Sequence, residues 1–491
     1  MSTPKNHGDM PAEDFRKYGY QLIDWIADFF AEIDKHAVLP NIQPGDIVNK
    51  LPHRPPVSSE SMDKILSDID KVIMPGMTHW NHPNFFAYFS SSGSAPGVLG
   101  ELIGSAFNIN GMVWQSCPSS TELEKVTMDW LRQLLGLPEE YWGIIYDTAS
   151  TSNLHAIAAA REQLTDLKLR EKGMCGRTDV PRLRIYLSEH AHSSVDKAAI
   201  TLGFGMDSIC KIPVDESFRM KPSLLQEAIQ ADRSKGWRPF CVVATIGTKS
   251  TTSVDPTSEI ADICERENLW LHVDAAYGGS AAILPEKRDL FYGWERADSI
   301  VMNPHKWMFV PIDLSAFYTR KPALLRQAFS LVPEYLKTEH DEVTDNFMDY
   351  GFQLGRRFRS LKLWFVLRYF GQEGLASRIR YHLELAKEFI QWVEDHPLFE
   401  VMAPAPFSTV CFRFHPEGTD DENKLNQLNK KLLQAINATH QIFLSHTKLG
   451  ETYIIRFAIS NLRTEKEHVE RAWKLIQTEA QKLIDSFMYT S

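Results

Sequence analysis

Residues 269–277 read Leu-Trp-Leu-His-Val-Asp-Ala-Ala-Tyr. Leu269–Val273 is a short, mostly apolar run that stops at a carboxylate, Asp274, followed by small residues. A strand buried on both faces of a sheet has this form. Comparable runs lie on either side, at Arg184–Leu187, Cys241–Ile246 and Ser299–Met302. They close on Ser188-Glu189-His190, Gly247-Thr248 and Asn303-Pro304-His305-Lys306. Helical patterns separate them, and this alternation predicts an α/β fold with a mostly parallel sheet. Ligands of such sheets sit beyond the carboxyl ends of the strands, so these polar ends are the first site candidates.

Outward from this centre, the patterns change. Phe15, Tyr18, Leu22, Trp25, Ile26, Phe29, Phe30 and Ile33 recur at spacings of three and four, which predicts an amphipathic helix over Asp14–Ile33. Its polar face is acidic, unlike that of a membrane-surface helix. Five prolines between Leu39 and Ser59 predict an extended arm. A helix is expected from Thr121, where Thr121 and Glu124 form a capping-box pattern. Its buried stripe is read as Leu123, Val126, Trp130, Leu131 and Leu134, and Gly136 with Pro138 ends it. Towards the C-terminus, Leu361–Phe370 reads as helix, Phe399–Phe414 as strand and Asn423–Asn437 as helix. Ile442–Ile459 reads as a hairpin turning near Gly450, and Glu465–Ile484 as helix. Together the segments after 376 predict a small α+β domain.

Composition mostly excludes. The 491 residues carry 53 Lys plus Arg and 63 Asp plus Glu, a net charge of −10, which argues against a nucleic-acid partner. No apolar run reaches the roughly 18–20 residues of a membrane span. The N-terminal stretch has no signal-peptide pattern. The six cysteines are scattered with no CxxC pair, which predicts reduced thiols in a cytoplasmic protein. Aromatic residues are abundant at 11%, with 12 Trp.

The chemistry rests on two strand ends. Asp274 is a carboxylate at a sheet edge and calls for a cationic partner or several donors. Lys306 follows a second strand, where desolvation favours a neutral, nucleophilic amine. A strand-end Lys and a strand-end Asp suit pyridoxal 5′-phosphate (PLP). The amine condenses with the cofactor aldehyde, and the carboxylate keeps the pyridine nitrogen protonated. Thr148-Ala149-Ser150-Thr151-Ser152-Asn153 opens a helical run and offers donors to a phosphate. His192, past another strand end, is placed to stack on a ring or to act as an acid.

With these residues in view, about 12–485 resembles the group II PLP-dependent decarboxylases, the aromatic L-amino acid decarboxylases in particular. The motifs are HVDAAYGGSA (272–281), NPHKW (303–307), AHSSV (191–195), CPSSTELE (117–124), HPNFFAYF (82–89) and LGRRFRSLKLW (354–364). The resemblance implies the type I aminotransferase-like PLP fold, working as a homodimer. It implies a helical dimerisation arm over 1–90, a PLP domain over 91–375 and a small domain over 376–491. Lys306 would hold PLP, Asp274 its pyridine nitrogen and His192 its ring face. Ala149, Ser150 and Asn303 would sit on the phosphate, Thr248 near the cofactor, and His305 beside the lysine. Trp80, Tyr88, Phe89 and Ser91 match substrate-pocket segments, and Met112 a position often held by Phe. Trp80, Tyr88 and Phe89 offer aromatic faces and no basic group, which favours an aromatic substrate over glutamate.

One position departs from the pattern. Decarboxylating members carry a loop Tyr seven residues before the Leu of LGRRF, and counting back from Leu354 gives Phe347. Phenylalanine has no proton to give. In plant relatives Phe at this place marks aromatic aldehyde synthases. Alternatively, Tyr350 or Tyr335 supplies the acid. The reading is therefore a carboxy-lyase making the arylalkylamine, with oxidative decarboxylation–deamination to the aldehyde as the alternative. A non-catalytic scaffold role is disfavoured by the intact Lys306–Asp274 pair.

Overall fold

The computed structural model describes residues 8–331 and 344–488, and it falls into two compact units. The larger comprises Phe86–Leu433 and Leu444–Leu462. Its main sheet has seven strands: β1 (Trp142–Tyr146), β2 (Leu183–Ser188), β3 (Ile209–Ile212), β4 (Arg238–Thr245), β5 (Trp270–Asp274), β6 (Ser299–Met302) and β7 (Ser315–Thr319). They run in the order β1-β7-β6-β5-β4-β2-β3. Neighbours from β6 to β3 are parallel, whereas β7 is antiparallel to both β6 and β1. The carboxyl ends of β1, β2, β4, β5 and β6 therefore share one edge of the sheet. The expected mostly parallel α/β architecture is present.

The central strands are apolar because both faces are covered. Every residue of β5 and β6 is buried, as are seven of the eight in β4. Register aligns Thr245 with Asp274, and Asp274 with Val301. The turns after β4 and β5 meet at glycine. A Cβ on Gly278 would lie 2.6 Å from the Ile246 carbonyl oxygen, and Gly247 has φ +93°.

The helix expected from Thr121 begins earlier, at Pro118, and runs to Leu135. Proline suits a first helical position, which places Thr121 inside the first turn. The capping box does not form. Glu124 instead accepts the Ile145 N–H (2.9 Å) and a hydrogen bond from Arg356 Nη2 (2.7 Å). That contact rotates the buried stripe onto Glu124, Thr127, Met128, Leu131 and Leu135, leaving Val126 and Trp130 exposed. Gly136 closes the helix in the left-handed region, as expected.

A long helix, Arg359–Glu394, breaks its dihedrals at Gly371. A second, four-stranded sheet orders β10 (Ser445–Leu449), β11 (Thr452–Ala458), β9 (Thr409–Phe414) and β8 (Phe399–Val401). The expected hairpin turns at Gly450, φ +60°.

The smaller unit comprises Met1–Phe85, Gln434–Phe443 and Arg463–Ser491. Its first helix, Ala12–Ala31, carries the predicted apolar face, yet none of its residues is buried. Trp25 stacks on Phe29 with ring centroids 5.6 Å apart, and Arg463 covers Phe30. Among the described residues no helix is long and apolar enough to cross a membrane, and all six cysteines are free.

Candidate active site

Five strand ends converge on one cavity of about 240 Å³. β5 contributes Asp274, Ala276 and Tyr277; β6 leads to Asn303, His305 and Lys306; β4 to Thr245, Gly247 and Lys249; β2 to His192; and β1 to Thr148, Ala149 and Ser150. Phe89 completes the wall. Of the residues read from sequence, Phe89, Ala149, Ser150, His192, Asp274, Asn303, His305 and Lys306 are thus brought together.

Lys306 lies in a one-turn helix, and its backbone N–H donates to the Asn303 carbonyl (2.9 Å). Burial lowers the pKa of its amine, and the Asp274 charge opposes that shift. Its Nζ sits 5.3 Å from the Phe89 ring centroid. Phe89 stacks on Tyr277 (4.1 Å) and Tyr277 on Trp307 (4.9 Å), a three-ring stack behind the lysine. Trp307 is anchored by its indole N–H to His382 Nδ1 (2.9 Å). Tyr277 donates to or accepts from Ser408 (2.8 Å), and burial pushes its phenol up to about 12.

Asp274 accepts the Ala276 N–H at Oδ1 (3.1 Å) and Asn153 Nδ2 at Oδ2 (2.9 Å). His192 opens onto the cavity. Burial lowers its pKa, Asp274 opposes the shift, and Lys306 and Lys249 add to it. His305 accepts the Leu314 N–H at Nδ1 (2.9 Å), and burial lowers it to about 4. Ala149 and Ser150 form the first turn of the helix Ala149–Glu162, whose leading N–H groups have no partner within the helix.

Other residues read from sequence lie elsewhere. Thr248 is fully buried, and its hydroxyl braces the turn by accepting the Ser253 N–H (3.0 Å). Tyr88 is exposed at φ +53°, with its N–H donating to Ser445 Oγ (3.1 Å). Ser91 is half-buried. Trp80 belongs to the smaller unit, on Phe85 (4.5 Å). Met112 packs with Val113 and Met348, and its carbonyl accepts the Met348 N–H (3.0 Å). Phe347 is 2% exposed, under the Arg356 guanidinium (4.6 Å) and beside Trp142 (5.9 Å). It is not among the residues lining the cavity. Tyr350 donates its hydroxyl to Asp345 (3.1 Å), and Tyr335 lies outside the described residues.

Lys249 and Thr245 went unread in the sequence as site residues, and Asn153 was read only within the phosphate-facing stretch 148–153, not as the partner of Asp274. Lys249 follows Thr248 directly, so the signal was a cation one step beyond a strand end. The bond from Asn153 to Asp274 carried no local signal, because the two lie 121 residues apart in the chain.

The donor set fits PLP. A desolvated lysine and a doubly hydrogen-bonded aspartate line the same cavity as a helix N-terminus. Two lining oxygens, Asn303 Oδ1 and Thr245 Oγ1, are buried with no partner among the described residues. A phosphate-bearing aldehyde supplies acceptors for the Thr245 hydroxyl and the helix N–H groups, and a carbonyl carbon for the lysine amine.

The class follows from fold and site together. The pyridoxal-dependent decarboxylase conserved domain matches residues 44–415, and the chain belongs to that family, with PLP as its cofactor. It is 40% identical over 487 residues to tyrosine decarboxylase 3 of Petroselinum crispum, covering 96% of this chain and 93% of that protein. It is 40% identical over 485 residues to phenylacetaldehyde synthase of Arabidopsis thaliana, covering 97% of each. The solved structure of Oryza sativa TDC with PLP and tryptamine matches with a TM-score of 0.92 at 37% identity, over 98% of this chain and 100% of that one.

Proposed function

We propose that the enzyme decarboxylates an aromatic L-amino acid, releasing CO2 and the arylalkylamine. The observation that carries this reading is the Lys306–Asp274 pair lining a cavity walled by Phe89 and Tyr277. The names of the relatives, which include a tyrosine decarboxylase, support the substrate class.

PLP bound here supplies a protonated pyridine ring that draws electrons from the substrate α-carbon. Lys306 holds the cofactor through its neutral amine, which burial favours. Two N–H donors orient the Asp274 carboxylate, one on each oxygen, and leave lone pairs that accept the ring-nitrogen N–H. The Ala149–Ser150 turn and Asn303 take the phosphate. His192 takes the ring face, and the aromatic wall excludes water.

A second reading is favoured by Phe347. The electron pair left when CO2 departs either captures a proton, giving the amine, or is passed to O2. In the second case one amino acid, one O2 and one water yield one aldehyde with CO2, ammonia and hydrogen peroxide. Phe347 has no proton to deliver, and Tyr350 has its hydroxyl committed to Asp345. A phenylacetaldehyde synthase among the relatives supports this branch.

The chain is also proposed to act as a cytoplasmic homodimer. Free cysteines support the compartment. The unburied apolar face of the Ala12–Ala31 helix supports self-association, as do Phe15 at 66% and Tyr20 at 67% exposure. The helical arm over 1–90, PLP domain over 91–375 and small domain over 376–491 remain the proposed division of labour.

The deciding experiment measures amine, aldehyde, peroxide and O2 uptake under air with tyrosine, dopa, phenylalanine and tryptophan. Amine alone without O2 uptake excludes the second reading. Phe347→Tyr is expected to shift product towards the amine, and no shift would place the proton donor elsewhere. Lys306→Ala is expected to abolish CO2 release with both branches.

A further inference from the structure

Beneath the cavity runs a chain of hydrogen bonds whose direction is fixed at one end. Trp270 Nε1–H can only donate, and it donates to Ser299 Oγ (2.9 Å). Ser299 Oγ keeps its proton and a second lone pair for His272 Nδ1 (2.8 Å), so the direction at His272 is set from the Asp274 end. The Asp274 carboxylate only accepts, so Asn153 turns Nδ2 to it and Oδ1 to His272, whose Nε2–H therefore donates (2.8 Å). With Oδ1 accepting, both hydrogens of Asn153 Nδ2 point onward, to Asp274 Oδ2 (2.9 Å) and Ser194 Oγ (2.8 Å). Ser194 spends its hydroxyl proton on His192 Nδ1 (2.9 Å). The Ser194 backbone N–H approaches the same nitrogen at the longer distance of 3.1 Å, so hydroxyl and backbone share the Nδ1 lone pair and together hold it as an acceptor. Ser299, His272 and Asn153 are wholly buried, and Ser194 is nearly so. These groups are shielded from bulk solvent, and an amide flipped the other way would set Asn153 Oδ1 against the Asp274 carboxylate.

We infer that Asn153 is a positioning residue that ties Asp274 to His192 and fixes His192 as the neutral Nε2–H tautomer, presenting a donor to the cavity. This rests on the proposed roles of Asp274 and His192 at the cofactor. One buried amide thereby sets two groups of the site at once. It keeps Asp274 an acceptor for the ring nitrogen, and it denies His192 a proton on Nδ1. A doubly protonated His192 would set an N–H against the Ser194 N–H.

The test uses the holoenzyme labelled with 15N-histidine, with the His192 signal assigned by its loss in His192→Gln. The wild type is expected to show a protonated Nε2 and a bare Nδ1 at neutral pH. Asn153→Leu is expected to release the constraint, so that both tautomers appear. It is also expected to weaken PLP about tenfold or more, because Asp274 loses a donor that orders it. Ser194→Ala, which leaves the Asn153–Asp274 bond in place, is expected to mix the tautomers with PLP affinity within about threefold of wild type. An Nδ1–H tautomer in the wild type overturns the inference. So does an unchanged His192 signal in both variants, and the Ser194→Ala arm stands if Asn153→Leu fails to fold. The tautomer is read on the protein itself, so its failure is separate from failure of the proposed reaction, which is read from products.

Discussion

Replacing Asp274 with Asn tests the centre of the site, and its consequences divide between fold and cofactor. Each carboxylate oxygen accepts one N–H, Oδ1 from Ala276 (3.1 Å) and Oδ2 from Asn153 (2.9 Å). An amide has one acceptor and one NH2 group. Either orientation therefore opposes an NH2 to a donor, and a buried unsatisfied donor costs about 1–3 kcal/mol. That loss falls on the cofactor-free protein and is read by its thermal or urea denaturation. A second loss falls on PLP. Without the negative charge, the ring nitrogen exchanges a charge-assisted hydrogen bond of about 1.5–3 kcal/mol for a weaker one. At roughly 1.4 kcal/mol per decade, PLP is expected to bind about 10- to 100-fold more weakly. Lys306 responds as well. Asp274 opposes the downward shift of its amine, so removing the charge lets the amine lose its proton more readily. The assay titrates the cofactor-free protein with PLP by absorbance and follows CO2 released from carboxyl-labelled tyrosine. A PLP dissociation constant within twofold of wild type, with CO2 release retained, would refute the assignment of Asp274 to the ring nitrogen.

Three further outcomes follow from the same geometry. Lys249→Met removes a cation that disfavours protonated His192, which Asp274, Lys306 and Lys197 also face. The histidine pKa should rise, and the acidic limb of a kcat/KM profile should move to higher pH; a limb that stays put removes either Lys249 or His192 from that ionisation. Gly278→Ala places a methyl 2.6 Å from the Ile246 carbonyl and 2.8 Å from the Phe407 ring, so stability should fall by about 1–3 kcal/mol on urea denaturation. A neutral result would mean the β4 and β5 turns separate freely. Phe15→Glu with Leu22→Glu puts charge on the unburied apolar face of the Ala12–Ala31 helix and should lower the mass seen by light scattering towards one chain. An unchanged mass would remove that face from the interface.

What the sequence made legible is what lies within one segment. The strand Ser299–Met302 needed no adjustment, because an apolar run bounded by charged and polar residues sets its own length. Asp274, Lys306 and His192 were visible because each follows such a run. The capping box failed for the opposite reason. Glu124 is claimed by the Ile145 N–H and by Arg356, 232 residues away, and no local pattern announces those partners. Thr248 and Lys249 show the limit at the scale of one residue. A strand alternates faces with a period of two, but a turn has no period. The hydroxyl at 248 turned inward to brace the loop, and the amine at 249 reached the cavity. Asn153 was the least legible, since its meaning lies in Asp274, 121 residues on.

Phe347 joins the two open questions, product and assembly. Counting back from Leu354 marks the position, yet its ring is packed beneath Arg356 and does not line the cavity of its own chain. An aromatic at 347 that governs product then has two routes: movement of its segment, or service to the cavity of a second copy. Mixed dimers separate them. One chain carries Lys306→Ala together with Phe347→Tyr, and the other is wild type, so the only competent cavity belongs to a chain whose own position 347 is Phe. If the residue serves the other copy, the mixed dimer shifts towards amine as far as the Phe347→Tyr homodimer does. If it serves its own chain, the mixed dimer keeps the wild-type ratio of amine to peroxide at about half the specific activity. That second result would refute any cross-chain role for position 347.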